Sequence, residues 1–298
     1  MLKQISLLIL CAVAIVLFAT PVHACTSAVV SGKVTLDGRP LLWKNRDTDF
    51  MRNHVDYVKG ERYDFIAVVN SANAYLKEAW MGTNSAGFAL MNTQSYNLVD
   101  VKGDEERGAA NGRVIYRALE VCATVEDFCH FLDTISKPSD IEANFGVIDA
   151  QGGAAMFEVD YYKYVMYDAN NPKDAPYGYI ARTNFSFAGK VNEGAGYVRY
   201  MEADQVLMKA SATGNITPQF IFNDLSRSFR NRMLDIDLRS GGYNRPQASG
   251  WFIDQDFIPR SSTSCSVVVQ GVKPGVKAEL TTMWTCLLYT SPSPRDCS

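Results

Sequence analysis

Apolar residues recur along this chain in short runs typical of β-strands, and three stretches of helical spacing lie between the runs. The first two runs cover 27–32 and 40–43, on either side of Asp37-Gly38, a dipeptide that favours a hairpin. Further short runs predict strands at 33–35, 64–69, 88–92, 145–149, 154–160, 163–168 and 264–271.

Helices are predicted where apolar residues recur every three or four positions. Residues 112–135 have this spacing, and the start signal that begins at Thr124 divides them into two helices. Two more helices are predicted at 199–210 and 217–229, the latter with Thr217 as N-cap and Pro218 as its first residue. Strand clusters separated by helices, without strict alternation, indicate an α+β fold with helices packed on antiparallel sheets.

The first 24 residues have the pattern of a signal peptide. Lys3 supplies the positive start, 5–18 is almost entirely apolar, and 22–24 has the small-x-small pattern after which a signal peptidase cuts. The apolar run is short for a membrane span, and no stop-transfer pattern follows it. We therefore expect a periplasmic or secreted protein with no integral membrane span after processing.

The last twelve residues, 287–298, read LLYTSPSPRDCS and resemble the translation of a sequencing adapter. We interpret them as a non-native tail that replaces the true C-terminus; a natural disordered tail is the alternative. Residues 25–286 then form one domain of ordinary globular composition, with 47% hydrophobic and 20% charged residues in the whole chain. The net charge of −3 argues against a nucleic-acid partner.

The chain of 298 residues has seven cysteines, and the four that remain outside the predicted signal peptide and the C-terminal end are too few for a disulfide scaffold. Setting aside the predicted signal peptide and tail, the remaining four are Cys25, Cys122, Cys129 and Cys265. Cys122 and Cys129 could pair in an oxidising compartment or serve as small buried hydrophobes, and we favour burial.

Cleavage after residue 24 would make Cys25 the N-terminal residue. Its thiol is then a nucleophile, and its α-amine, with an ordinary pKa of about 7.7–8.0, can act as the base. This matters because the mature chain has only His54 and His130, neither within a recognisable catalytic motif. Three alternatives remain: a Cys–His pair, a lipid-anchored cysteine, for which His23 makes a poor lipobox, and an ordinary strand cysteine.

The order of several short motifs resembles a known family. Cys25-Thr26 opens a strand, the Asp37-Gly38 turn follows, and 42–47 reads LWKNRD. This resembles the N-terminal-nucleophile (Ntn) cysteine hydrolases, the group of choloylglycine hydrolases, penicillin V acylase and acyl-coenzyme A:6-aminopenicillanic acid acyltransferases. The acyltransferase-like (C45 peptidase) members are the most similar. The resemblance implies a four-layer αββα sandwich of two antiparallel sheets and a small N-acyl amide substrate. The chain has neither a metal-ligand cluster nor a phosphate-binding glycine loop, so we expect no metal and no organic cofactor.

The same resemblance implies roles for five residues. Cys25 would attack the amide carbonyl, and Asp47 would hold the α-amine and thiol by accepting hydrogen bonds. Asn92 would stabilise the oxyanion, and Asn184 would position the thiol or the substrate amide. Arg199 would contribute to the electrostatics around the thiol. Without the resemblance, Asp47 would be interpreted as a surface-turn carboxylate, Asn92 as a strand cap and Arg199 as an exposed residue at a helix start.

One departure from the family limits the substrate prediction. Bile-salt and penicillin members have Arg three residues before the aspartate, where this chain has Lys44, and Lys cannot form a bidentate fork. The interval from Asn184 to Arg199 is also too short for the assembly loop of the bile-salt enzymes.

We therefore expect an exported amidohydrolase or acyltransferase that acts on a linear amide through a thioester. The alternative is a non-enzymatic envelope protein with a lipid anchor on Cys25. The sequence does not determine whether the protein forms homo-oligomers.

Overall fold

A computed structural model describes residues 24–100, 108–240 and 254–288. The predicted signal peptide up to residue 23 and tail residues 289–298 lie outside this part of the chain. Every strand pair in it is antiparallel. The strands are β1 Cys25–Val30, β2 Leu41–Asp47, β3 Asn53–Val58, β4 Phe65–Asn70, β5 Met81–Asn84, β6 Ala89–Gln94, β7 Ala143–Ile148, β8 Ala154–Val159, β9 Tyr164–Asp168, β10 Tyr179–Arg182, β11 Arg230–Asn231, β12 Ile236–Asp237, β13 Thr263–Gln270 and β14 Thr282–Leu287.

Two large sheets and a small ribbon account for these strands. One sheet has five strands in the order β10-β1-β2-β13-β14, and the other has seven in the order β3-β4-β5-β6-β7-β8-β9. The ribbon pairs β11 with β12. The helices are α1 Asn111–Val121, α2 Val125–Thr134, α3 Tyr197–Ser211 and the single turn α4 Pro218–Phe220.

Three clusters of buried apolar residues define the layers. The first lies between the seven-stranded sheet and the pair α1 and α2, where Leu119 and Phe128 pack against the sheet. The second lies between the two sheets, and the third lies between the five-stranded sheet and α3, with Leu207 at its centre. The order helix, sheet, sheet, helix confirms the predicted αββα sandwich.

Residue alternation on β1 decides what each of its side chains meets. Val29 belongs to the core between the sheets, whereas Ala28 and Val30 belong to the core beneath α3. Because successive strand residues point to opposite faces, Cys25 shares the inter-sheet face with Val29, and Thr26 faces α3.

Gly146 on β7 lies at a tight contact between the two sheets. A Cβ placed there would meet Met91 Cε inside contact distance, with Val29 Cγ2 at 2.8 Å and Leu42 Cδ1 at 2.9 Å. Only a residue without a side chain fits between these three, so Gly146 allows the sheets to pack at this point.

Most predicted elements are confirmed within one or two residues. Thr124 caps α2 through a reciprocal capping box with Asp127, and the thiols of Cys122 and Cys129 are free. Two predictions are wrong. Residues 33–35 form no strand but a single bridge from Thr35 to Ile216. Residues 217–229 form only α4 and a π-turn, because the chain turns into β11 at Arg230.

Candidate active site

Cys25 begins β1, between β10 and β2 in the five-stranded sheet. It lies opposite Arg46 in register and is only 7% exposed. Since Ala24 precedes it in this structure, its nitrogen is a peptide N–H, which donates to Asn184 Oδ1 at 3.0 Å. The backbone of Cys25 is therefore held at the point where cleavage would create an α-amine.

Asn184 connects this nitrogen to both sheets. It follows β10, and its Oδ1 also accepts from Arg199 Nη2 at 2.8 Å. Its Nδ2 donates to the carbonyl of Gln94 at the end of β6, at 2.9 Å. Hydrogen bonds at both ends of the carboxamide fix its orientation, so that Asn184 places an acceptor at the Cys25 nitrogen.

Arg199 holds the other side of the Cys25 backbone. It lies in the first turn of α3, where Nη1 donates to the Cys25 carbonyl at 2.7 Å and to Thr26 Oγ1 at 3.0 Å. It is 1% exposed, so the surface interpretation does not apply. Burial lowers the pKa of Arg199 to about 10, with a further contribution from Arg260, while Asp47 opposes this shift.

Gly196 allows this arginine to lie so close to the chain. Its φ of 87° is in the region that glycine adopts easily, and a Cβ there would meet the guanidinium of Arg199 inside contact distance. The N-cap of α3 is therefore restricted to glycine by both conformation and space.

Asp47 is buried at the end of β2 and accepts two strong hydrogen bonds. Its Oδ2 receives Arg260 Nε at 2.8 Å, and its Oδ1 receives Thr263 Oγ1 at 2.6 Å. Burial raises the pKa of Asp47, and the charges of Arg260 and Arg199 oppose this shift. The surface-turn interpretation therefore does not fit its position.

The predicted contact from Asp47 to Cys25 is not among these bonds, and the Cys25 nitrogen is held by Asn184 instead. Alternation along β2 explains the difference. Trp43 packs in the core beneath α3, so Asp47, four residues on, lies on the face opposite to the Cys25 side chain. A contact between Asp47 and a released α-amine stays a prediction.

Arg260 is a site residue that the sequence did not indicate. It lies 213 residues after Asp47, and its side chain is 4% exposed. A buried carboxylate requires a partner, so burial of Asp47 would have predicted some cation, but no nearby motif identified this one.

Two further cations, Lys44 and Arg46, lie on the inter-sheet face of β2, which Cys25 shares. Arg46 donates to Asn53 and to Asn70, the latter at 2.9 Å, and its guanidinium lies 4.7 Å from the centre of the Trp80 ring. The thiol of Cys25 is therefore placed beside fixed positive charge.

Lys44 Nζ donates to Asn92 Oδ1 at 2.9 Å and to the carbonyl of Trp80 at 3.1 Å. Burial lowers the pKa of Lys44 to about 8. Asn92 lies on β6 of the seven-stranded sheet, so this bond joins the two sheets beside Cys25. Asn92 is therefore joined to the Cys25 face of β2 through Lys44, and its role at the oxyanion stays a prediction.

Neither histidine joins the site. His54 lies on the edge strand β3 and contacts Ser71 Oγ at 3.1 Å, and His130 is exposed on α2. The structure thus gives a Cys–His pair no geometric support.

A cavity of about 330 Å³ is lined in part by Arg260 and Thr263, the two partners of Asp47, and a cavity of about 440 Å³ lies elsewhere. Cys25 lines neither of them. Across the described residues, no helix has the length and apolar character to cross a membrane.

Two helix-covered antiparallel sheets, with a cysteine at the start of a central strand and two asparagines around it, define an Ntn-hydrolase architecture. The chain belongs to the acyl-coenzyme A:6-aminopenicillanic acid acyl-transferase family, whose model matches residues 35–221. The match contains Asp47, Asn92, Asn184 and Arg199 but begins after Cys25. Membership supports an amide hydrolase or acyltransferase activity and favours an enzyme over a lipid-anchored structural protein.

One solved structure with a TM-score above 0.5 supports the fold. The chain is similar to the Caenorhabditis elegans N-acylethanolamine-hydrolyzing acid amidase ortholog, with a TM-score of 0.51 and 13% identity over 88% of this chain and 100% of that chain. It is also similar to a mutant conjugated bile acid hydrolase from Clostridium perfringens, with a TM-score of 0.45 and 13% identity over 90% and 93%. Penicillin V acylase from Agrobacterium tumefaciens gives 0.43 and 16% identity over 88% and 82%. No curated protein matches in sequence.

Proposed function

We propose that this protein is an exported Ntn amidohydrolase or acyltransferase, with Cys25 as its nucleophile once residues 1–24 are removed. The observation that carries the proposal is that two side chains hydrogen-bond to the Cys25 backbone. Its N–H donates to Asn184, and its carbonyl accepts from Arg199. An ordinary strand residue has its backbone satisfied by neighbouring strands, whereas here two buried side chains from distant elements converge on one residue.

The reaction follows from the groups around this residue. The neutral α-amine takes the thiol proton, and the thiolate attacks the amide carbonyl carbon. Nδ2 of Asn92 donates to the oxygen that becomes negative, an interaction typically worth about 10²–10³ in rate. The ammonium then protonates the leaving amine, the C–N bond breaks, and a thioester remains on Cys25. Water or an acceptor amine attacks this thioester and regenerates the thiol.

Cleavage must precede folding in this account. Ala24 is 1% exposed, so a peptidase could not reach the Ala24–Cys25 bond in the folded chain. Export in an unfolded state provides that access. Removal of Ala24 also opens space directly beside the Cys25 nitrogen, where a substrate carbonyl has to approach.

The substrate class is a linear N-acyl amide. Family membership supports acyl transfer to or from an amine, and the fold is shared with an N-acylethanolamine-hydrolyzing amidase. Since Lys44 cannot form a bidentate fork, we expect no preference for conjugated bile salts.

The test begins with the exported protein. N-terminal sequencing and intact mass should give a chain that starts at an unmodified Cys25. This chain should then be assayed against N-acyl amino acids, N-acylethanolamines, penicillin V, conjugated bile salts and short peptides. Cys25→Ala should abolish turnover of every active substrate while its unfolding curve stays cooperative, and full activity in that variant, or a lipid on Cys25, would refute the proposal.

A further inference from the structure

The contact between Lys44 and Asn92 leaves one end of the Asn92 amide free. Lys44 Nζ donates to Asn92 Oδ1 at 2.9 Å, whereas Nδ2 of Asn92 donates no hydrogen bond among the described residues. Both residues are buried, with exposures of 2% and 3%. A buried amide group with its acceptor satisfied and its donor unused has capacity for one further acceptor.

The chemistry of an ammonium group fixes the orientation of this amide. An ammonium has three N–H donors and no acceptor, so it can face only the oxygen of Asn92. The carbonyl of Trp80, which accepts from the same Nζ at 3.1 Å, keeps Lys44 in place. Rotation of the Asn92 amide by 180° would bring N–H groups against a buried cation and is therefore excluded.

We propose that Lys44 is a positioning residue that locks the Asn92 amide with Nδ2–H directed at the carbonyl oxygen of the substrate. This inference rests on the proposed function, in which Asn92 supplies the oxyanion donor. Lys44 touches neither substrate nor thiol in this account and acts through Asn92. Its charge also polarises the amide and strengthens the N–H as a donor.

The groups facing Lys44 determine how its charge responds to pH. Cys25 on β1, Arg46 on β2 and Cys265 on β13 act on it from near its own face, and the charge of Asp47 acts from the opposite face of β2. The contacts with β6 and Trp80 are to neutral oxygens. Burial and Arg46 favour the neutral amine, and the other three groups favour the ammonium. With a pKa of about 8, Lys44 is protonated at neutral pH and loses its proton as the pH rises past 8.

The decisive experiment is a double-mutant cycle with Lys44→Met and Asn92→Leu, using hexanoyl p-nitroanilide as the probe. We expect Asn92→Leu to lower kcat by about 10²–10³-fold, and Lys44→Met to lower it by no more than that. If Lys44 acts through Asn92, the double variant should be no slower than Asn92→Leu alone. Multiplicative losses would overturn the inference, because Lys44 would then act independently of Asn92.

A pH profile separates positioning from a merely structural role. The α-amine of Cys25 must be neutral to act, so kcat should rise towards pH 8, and loss of the Lys44 proton should make it fall above pH 8. Lys44→Arg stays charged, so the falling limb should move to higher pH and the rising limb should not. If the falling limb of the kcat profile stays at the same pH in Lys44→Arg, the inference is overturned. This test does not need Lys44→Met, so it can be done even if that variant does not fold.

Lys33 provides the matched control. It lies on the β1–β2 connection, and its Nζ also donates to a carbonyl oxygen, that of Asn170, at 2.8 Å. Lys33→Met should leave kcat and the pH profile unchanged. Activity in Cys25→Ala would refute the proposed function and this inference together, whereas an inactive Cys25→Ala with a multiplicative cycle would refute the inference alone.

Discussion

Replacing Arg199 with Met tests how much the hydrogen bonds around the Cys25 backbone contribute to the free energy of unfolding. Met keeps an apolar stem of similar length and removes three hydrogen bonds, to the Cys25 carbonyl, Thr26 Oγ1 and Asn184 Oδ1. Hydrogen bonds that involve a charged group each contribute about 1.5–3 kcal/mol, which gives about 4.5–9 kcal/mol in total.

Burial of the charge offsets part of this sum. The pKa of Arg199 falls from 12.5 to about 10. Each unit corresponds to about 1.4 kcal/mol, so the charged form is penalised by about 3 kcal/mol. Because the pKa is depressed on folding, this penalty is fully present at neutral pH, where both folded and unfolded chains are protonated. The net loss in the free energy of unfolding is then about 1.5–6 kcal/mol.

Urea unfolding followed by circular dichroism gives this quantity directly. Arg113 offers a control, since its side chain is 53% exposed and lies 3.6 Å from Glu78. Arg113→Met should change the free energy of unfolding by less than about 0.5 kcal/mol. If Arg199→Met is as mild as this control and retains full activity, the argument that Arg199 holds the Cys25 backbone is refuted.

Three further predictions test other parts of the account. Thr263→Val removes one of the two hydrogen bonds to the buried Asp47 carboxylate and should cost about 1–3 kcal/mol by urea unfolding; no change would show that this bond is dispensable. Joint replacement of His54 and His130 should leave kcat within about twofold in a p-nitroanilide assay, and a complete loss without unfolding would restore the Cys–His hypothesis. Gly146→Ala should destabilise the fold by about 1–3 kcal/mol, since its Cβ has no space between the sheets, and an unchanged Tm would contradict the described packing.

Most strands and helices could be predicted from the sequence, because the residues that determine each of them are neighbours along the chain. The apolar runs of β7 and β8, and the capping box that begins α2, each lie within a few residues of the feature they determine. The short strand β10 was not predicted, since four residues are at the lower limit of a recognisable strand pattern. The predicted helix at 217–229 has a genuine N-cap at Thr217, but the chain passes from α4 into a π-helix at Ile221–Leu225, a change that no local pattern predicted.

Site residues that lie within short motifs could be predicted from the sequence, whereas partners distant along the chain could not. Motif order indicated Cys25, Asn92, Asn184 and Arg199, and the structure brings all four together through hydrogen bonds or through Lys44. The partners of Asp47 could not be derived, since Arg260 and Thr263 are more than 200 residues away and meet it only through the pairing of β2 with β13.

The central claim is that Cys25 becomes the N-terminal residue and carries the acyl group during turnover. Mass spectrometry of the exported protein, acid-quenched during reaction with hexanoyl p-nitroanilide, tests this most directly. The account predicts an N-terminal peptide that begins at Cys25 and is heavier by one hexanoyl group, which hydroxylamine removes as expected for a thioester. An acyl group on another residue, or turnover by a chain whose N-terminus lies elsewhere, would contradict it.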